Sequence, residues 1–165
     1  RPSAVFGPGD RGFLPIFKLL KRKYLIQLGS VDRVVSLCHV SDLVILMARS
    51  AVAEVPNGST YFVAEPVPYR WSEFERLAAL AMQVEPRRIQ FGQKIIKLAG
   101  RIGQLISRLS NRTVLINSTR IDEFLHPDWS LDVSKATHEL QHETLHPLPT
   151  AIYELVSWYR HHNWL

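Results

Sequence analysis

Cysteine is almost missing from this sequence: Cys38 is the single one among 165 residues. No internal disulfide can form, which suits a reducing compartment. Cys38 lies in the apolar run Val34-Val-Ser-Leu-Cys38 and reads as a small buried hydrophobe. Long hydrophobic runs are missing as well. No apolar stretch approaches the ~20 residues that a membrane-spanning helix needs. There is no low-complexity tract and no secretory-signal pattern, and the chain opens on Arg1, not Met. These absences point to a cytoplasmic protein, with membrane contact at most peripheral. A start on the extended pair Arg1-Pro2 suggests a piece of a longer protein.

The residues present suffice for one domain, or one and a fraction, with an ordinary core: 46% are hydrophobic. The net charge of +5 is local in origin. Lys18, Lys21, Arg22 and Lys23 crowd the end of a first helix, where cations suit the macrodipole. Lys94, Lys97, Arg101, Arg108 and Arg112 fall in a stretch without an acid. Solvated helix faces account for both groups, and no nucleic-acid partner is expected. The alternative is a non-enzymatic binding module whose basic amphipathic helices contact a membrane or an anionic partner.

The opening segment organises the rest. Ser3 to Phe6 continue a strand, and Gly7-Pro-Gly-Asp10 reverses the chain, since proline presets one turn residue and glycine supplies positive φ at another. Phe13, Ile16, Phe17 and Leu20 then set a helical period. Asp10 and Arg11 are left at the loop beyond a strand's carboxyl end, where open α/β folds hold ligands. Further strands are expected at Tyr24–Leu28, Val34–Val40, Thr60–Ala64 and Arg88–Phe91. Ser41 and Asp42 are expected to cap a helix running to about Glu54. Ser72-x-x-Glu75 reads as a capping box for a helix with Phe74, Leu77, Ala78 and Ala81 on one face. Helical patterns follow at Gln93–Leu109, Val133–His142 and from Thr150 onward, with a short turn or helix at Ile121–Leu125.

Two motifs carry other chemistry. Gly7-Pro-Gly9-Asp-Arg-Gly12 fits the dinucleotide fingerprint G-x-G-x-x-G, with Asp32 about 20 residues on. Against it, Pro8 removes a backbone donor from the would-be phosphate nest. His138-Glu-Leu-Gln-His142 fits the zinc motif H-E-x-x-H. Against that, Pro147 ends the helix early and Leu148 stands where a third ligand would fall, so no metal is expected.

Arg1-Pro-Ser-Ala-Val-Phe-Gly-Pro-Gly-Asp-Arg11 resembles the R-P-x-x-V-Y/F-G-P-G-D segment of extended short-chain dehydrogenases/reductases, which include the NAD-dependent epimerase/dehydratases and the 3β-hydroxysteroid-dehydrogenase-like proteins. Leu37-Cys-His-Val-Ser-Asp-Leu43, Gly58-Ser-Thr-Tyr-Phe-Val63 and Pro68-Tyr-Arg-Trp-Ser-Glu-Phe74 resemble later segments of the same family, in order. His126 to Ala136 and Trp158 to Leu165 resemble its D-x-S-K-A and W-Y-x-x-x-G-W-L segments.

The resemblance implies an α/β fold: the C-terminal portion of a Rossmann-type sheet plus a small mixed α+β substrate-binding lobe. Residues 1–65 would end the Rossmann-type domain and residues 66–165 would form the mainly helical lobe. It implies NAD or NADP in the parent protein, none of it tightly held by this chain, and a missing N-terminal Rossmann half as partner. Pro2 and Ser3 would approach the nicotinamide, and Asp10, Arg11 and Tyr69 would border a small-molecule substrate. The family catalyses with Tyr-x-x-x-Lys; here Tyr24, Tyr61, Tyr69, Tyr153 and Tyr159 are followed at that spacing by Leu28, Glu65, Glu73, Ser157 and Asn163. No catalytic residue is therefore assigned. Arg33 stands six residues before His39, outside the family's spacing for a phosphate-binding arginine. The function implied is the substrate-binding part of an NAD(P)-dependent oxidoreductase or epimerase, inactive alone and prone to self-association through an open sheet edge.

Overall fold

A computed structural model describes residues 1–29, 31–92 and 126–165. Strand β1 (Ala4–Phe6) leads through the Gly7–Asp10 turn into α1 (Leu14–Lys21), and β2 (Tyr24–Leu28) follows. Next come β3 (Val34–Val35), β4 (Leu37–His39) and α2 (Val40–Val52). Then β5 (Tyr69–Arg70) runs straight into α3 (Trp71–Met82), which precedes β6 (Arg87–Phe91). The last described part holds β7 (Asp128–Trp129), α4 (Ser134–Leu140) and α5 (Leu148–His161). The helices expected at Gln93–Leu109 and Ile121–Leu125 lie outside the described residues.

The chain is mixed α/β, with small parallel and mixed sheets. β1 pairs with β4 in parallel, Phe6 opposite His39. β2 pairs with β6 in parallel, Tyr24 opposite Arg87. β3 lies between antiparallel β5 and parallel β7. Parallel pairing requires crossovers: α1 lies in the connection from β1 to β4, and α2 and α3 lie in the connection from β2 to β6.

The main core gathers Phe6, Phe17, Leu20, Phe74, Ile152, Leu155 and Tyr159, all fully buried. These residues come from both sides of the 65/66 boundary. α3 turns the face Phe74, Leu77, Ala78, Ala81 inward, as its period requires. Phe17 stands edge-on to Tyr159 at 5.4 Å, and Trp71 stacks on Phe74 at 5.0 Å. Burying each such side chain contributes about 1.5–3 kcal/mol before entropy is charged against it.

Several expected features differ, each for a local reason. Thr60–Ala64 is not a strand; Val63 makes an isolated parallel bridge to Pro2. The run Val34–Val40 is divided between β3 and β4, and Val40 already begins α2. The residue capping α2 is His39, whose ring accepts from the Ser41 N–H. Asp42 instead turns inward to His146. The capping box of α3 does not form: Asp32, from a distant loop, accepts from both the Ser72 N–H and its hydroxyl, at 3.0 and 2.7 Å. Glu75 is thereby left to the interior, 3% exposed. The last helix starts at Leu148, two residues earlier than expected.

Candidate functional site

A cavity of about 550 Å³ opens beside β1, between α1, α3 and the β2 and β3 strands. Ala4 and Gly12 border its β1 end. Phe13, Ile16 and Leu25 form apolar walls, and the indoles of Trp71 and Trp129 close two more sides. Its charged side chains are Arg33 and Glu75. Glu75 is 3.6 Å from Arg88, and burial, outweighing that cation, holds its carboxyl above the usual range. Arg33 lies over the Trp71 ring at 5.8 Å, and burial lowers its pKa against the pull of Glu75 and Asp32.

Below the Gly7–Asp10 turn the chain is densely polar. Gly7 adopts φ +139°, and a Cβ there would come within 2.6 Å of Val40 Cγ1 and 2.9 Å of His39 Nε2. Thus the turn rests directly on the His39 ring. His39 is fully buried and stacks on His146, ring centres 4.7 Å apart. His146 in turn meets the buried Asp42 carboxylate at 2.7 Å. Alongside, the Tyr69 hydroxyl donates to Glu65 at 2.7 Å, and Glu65 also accepts from the Leu148 N–H. Burial raises the pKa of Glu65, while burial and the Glu65 contact raise that of Tyr69. Burial pushes the Cys38 thiol up to about 12, so it has no thiolate character.

The residues singled out from sequence fall in different places. Pro2 borders a second hollow of about 390 Å³ with Leu43, Met47 and Tyr61. Ser3 donates its N–H to Val63, while its buried hydroxyl has no hydrogen-bond partner among the described residues. The Asp10 carboxylate accepts from the Gly12 and Phe13 N–H groups and from the Tyr159 hydroxyl. Arg11 packs over the Trp164 ring at 5.2 Å. Asp10 and Arg11 therefore meet the C-terminal aromatic residues, whereas Tyr69 belongs to the Glu65 group. None of the three lines the large cavity. Sequence reasoning missed its charged pair; the signal was Glu75, an acid flanked by Phe74 and Leu77 on a helix whose other face is polar.

The residues of the two alternative motifs make other contacts. In the G-x-G-x-x-G segment, the Gly12 and Phe13 amides that would cradle a phosphate already hold the Asp10 carboxylate, and a second anion would be repelled. In the H-E-x-x-H segment, α4 ends at Leu140, and Gln141 takes a left-handed conformation. His142 lies past that end, buried, with its ring nitrogen 3.3 Å from the Ala64 carbonyl, while His138 stays exposed. No metal-binding group of three ligands occurs among the described residues.

No family model matches the chain. A curated relative, the ceramide reductase of Caulobacter vibrioides, is 27% identical over all 165 residues, which cover 51% of that protein. UDP-glucuronic acid 4-epimerase from Bacillus cereus, solved with UDP-glucuronic acid and NAD, superposes with a TM-score of 0.68 at 13% identity, over 98% of this chain and 44% of its own. The RMD protein of Pseudomonas aeruginosa, solved with NADPH, gives 0.66 at 13% identity, over 98% and 47%. The chain has the fold of about half of each of these NAD- or NADPH-bound proteins. It spans about half the length of the curated relative it matches. β1 and its turn are the Arg1–Arg11 segment, and the cavity opens directly against them. No described helix is long and apolar enough to cross a membrane.

Proposed function

We propose that this chain is the substrate-holding part of an NAD(P)-dependent oxidoreductase or epimerase that acts on a hydroxyl or keto group, and that it has no such activity alone. Residues 1–65 end the cofactor-binding domain and residues 66–165 form the substrate lobe. The observation that carries the reading is the cavity against β1, of the size that holds a small-molecule ligand.

NAD(P)H would supply hydride and NAD(P)+ would accept it when bound, and this chain offers one end of that site. The unpartnered Ser3 hydroxyl fits a polar group arriving at the start of β1, with Pro2 beside it. The Asp10-filled turn does not fit the diphosphate, which must be held by other residues. Asp10 borders the substrate side through the Gly12 and Phe13 N–H groups it holds, while Arg11 and Tyr69 stand outside the cavity. The alternative of a basic surface module has two groups of cations: Lys18, Lys21, Arg22 and Lys23, exposed at the end of α1, and the stretch 93–109, outside the described residues.

Two measurements test this. Intact mass together with peptide sequencing of the natural protein should reveal a glycine-rich turn and a Tyr-x-x-x-Lys pair outside the present 165 residues. The 165-residue chain alone should not oxidise NADH or NADPH with any ketone, whereas the natural-length protein should with its own substrate. Turnover by the isolated chain would overturn the reading.

A further inference from the structure

The cavity also carries information on which hydroxyl or keto compound it accepts. Its walls are aliphatic and aromatic from the β1 end to Trp129. Its charged lining groups, Arg33 and Glu75, have opposite signs. Glu75 is buried, and Arg33 already feels Glu75 and Asp32. A nucleotide sugar would bring a diphosphate and many hydroxyl groups into this space. Its negative charges would meet the Glu75 carboxylate, and its hydroxyls would lose water against apolar walls. A hydrocarbon chain has neither cost and gains from every methylene that leaves water.

Direction follows from the same residues. Ala4 lines the cavity and directly follows Ser3, so the β1 end is where a reacting group would stand beside the nicotinamide. Trp129, 47% exposed, lines the cavity from β7. Resting on the reading that this cavity is the substrate chamber, we infer that it binds a long unbranched aliphatic substrate, its hydroxyl or keto group toward Ala4 and its tail running between α1 and α3 toward Trp129.

The test uses the natural-length protein and a series of methyl ketones, hexan-2-one to dodecan-2-one, followed by tryptophan fluorescence, with UDP-glucose as competitor. Affinity should rise about fourfold per methylene until the cavity is full. Ala4→Phe adds bulk at an exposed position that lines the cavity, so the fold tolerates it. It should weaken dodecan-2-one at least tenfold and end the rise at a shorter chain. Trp129→Ala, also at an exposed position, should lower the affinity of the long ketones more than that of hexan-2-one. Displacement of ketone by UDP-glucose, a flat chain-length series, or unchanged affinity in both variants would overturn the inference. NAD(P)-linked turnover of UDP-glucose with no ketone binding would sink the aliphatic site and leave the oxidoreductase reading. Ketone binding without any NAD(P)-linked turnover would support the site and remove that reading.

Discussion

The hollow between α1 and α3 and the packed cluster around His39 obey opposite rules. The hollow is walled by apolar side chains with space left between them. The cluster is filled by polar side chains, most of which find partners inside the protein: Asp42 with His146, Glu65 with Tyr69 and Leu148, His142 with Ala64; the buried His39 Nε2 has none among the described residues. The motif-bearing residues His39 and Asp42 are in the cluster. What distinguishes the segment by sequence is thus spent on fixing the turn after β1, and the space for a ligand is made by ordinary apolar residues. If that division holds, removing bulk near the hollow and adding bulk over the cluster should both be costly, but for different reasons.

The largest effect is expected from Phe74→Ala. Phe74 is fully buried and in ring contact with Phe13, Trp71 and Phe17. Its loss should cost about 3–5 kcal/mol in urea unfolding, since the cavity it leaves joins one already present. Phe13 and Trp71 should lean into the gap and weaken any cavity ligand at the same time. A loss below about 1 kcal/mol would mean that the hollow and the core are not one continuous packing unit.

Gly7→Ala probes the other region and should cost less, about 2–3 kcal/mol. The new Cβ meets a stiff valine and a buried ring, at a φ that side-chain-bearing residues rarely adopt. Gly9→Ala is the internal control. Its φ is +85°, yet nothing lies within 4 Å of the added Cβ, so only the backbone penalty of about 1 kcal/mol applies. Equal losses at the two glycines, read from thermal midpoints, would show that His39 does not support the turn.

Much of the fold was legible where local signals and burial agree. Gly7-Pro-Gly-Asp10 fixed the turn through its φ preferences, and the Phe74–Ala81 face fixed the buried side of α3. Legibility failed where a distant residue took over a local role. Asp32 caps α3 across 40 positions of sequence, so the Ser72–Glu75 box, correct as a local pattern, was never formed. Similarly, β-rich Thr60–Ala64 forms no ladder among the described residues, where only Pro2 offers a paired position. The cavity was hidden for a simpler reason: a residue that lines a void and one that fills it obey the same helical period.

The smallest expected effect is a slope with pH, and it isolates the cluster from the hollow. Burial holds the His39 pKa below its usual 6.5, and the neighbouring His146 adds to this, while Glu154 and Asp42 pull the other way. Between the lowered folded value and 6.5, the unfolded chain binds more protons at His39 than the folded chain does. Stability from this residue is therefore full above 6.5 and declines as the pH falls through the folded value. Glu65, beside the cluster, and Glu75, in the hollow, have raised folded values, so they give the opposite slope, gaining stability as the pH falls. His39→Asn retains an acceptor for the Ser41 N–H and has no proton to gain. The variant should lose the decline on going from about pH 7.5 to about 5.5 and keep the carboxylate contribution. Urea midpoints of the two proteins should then diverge most at neutral pH and converge on acidification. Parallel curves would show that His39 titrates in the folded chain as it does in the unfolded one, and that the ring under Gly7 is not the buried neutral support its stacking on His146 implies.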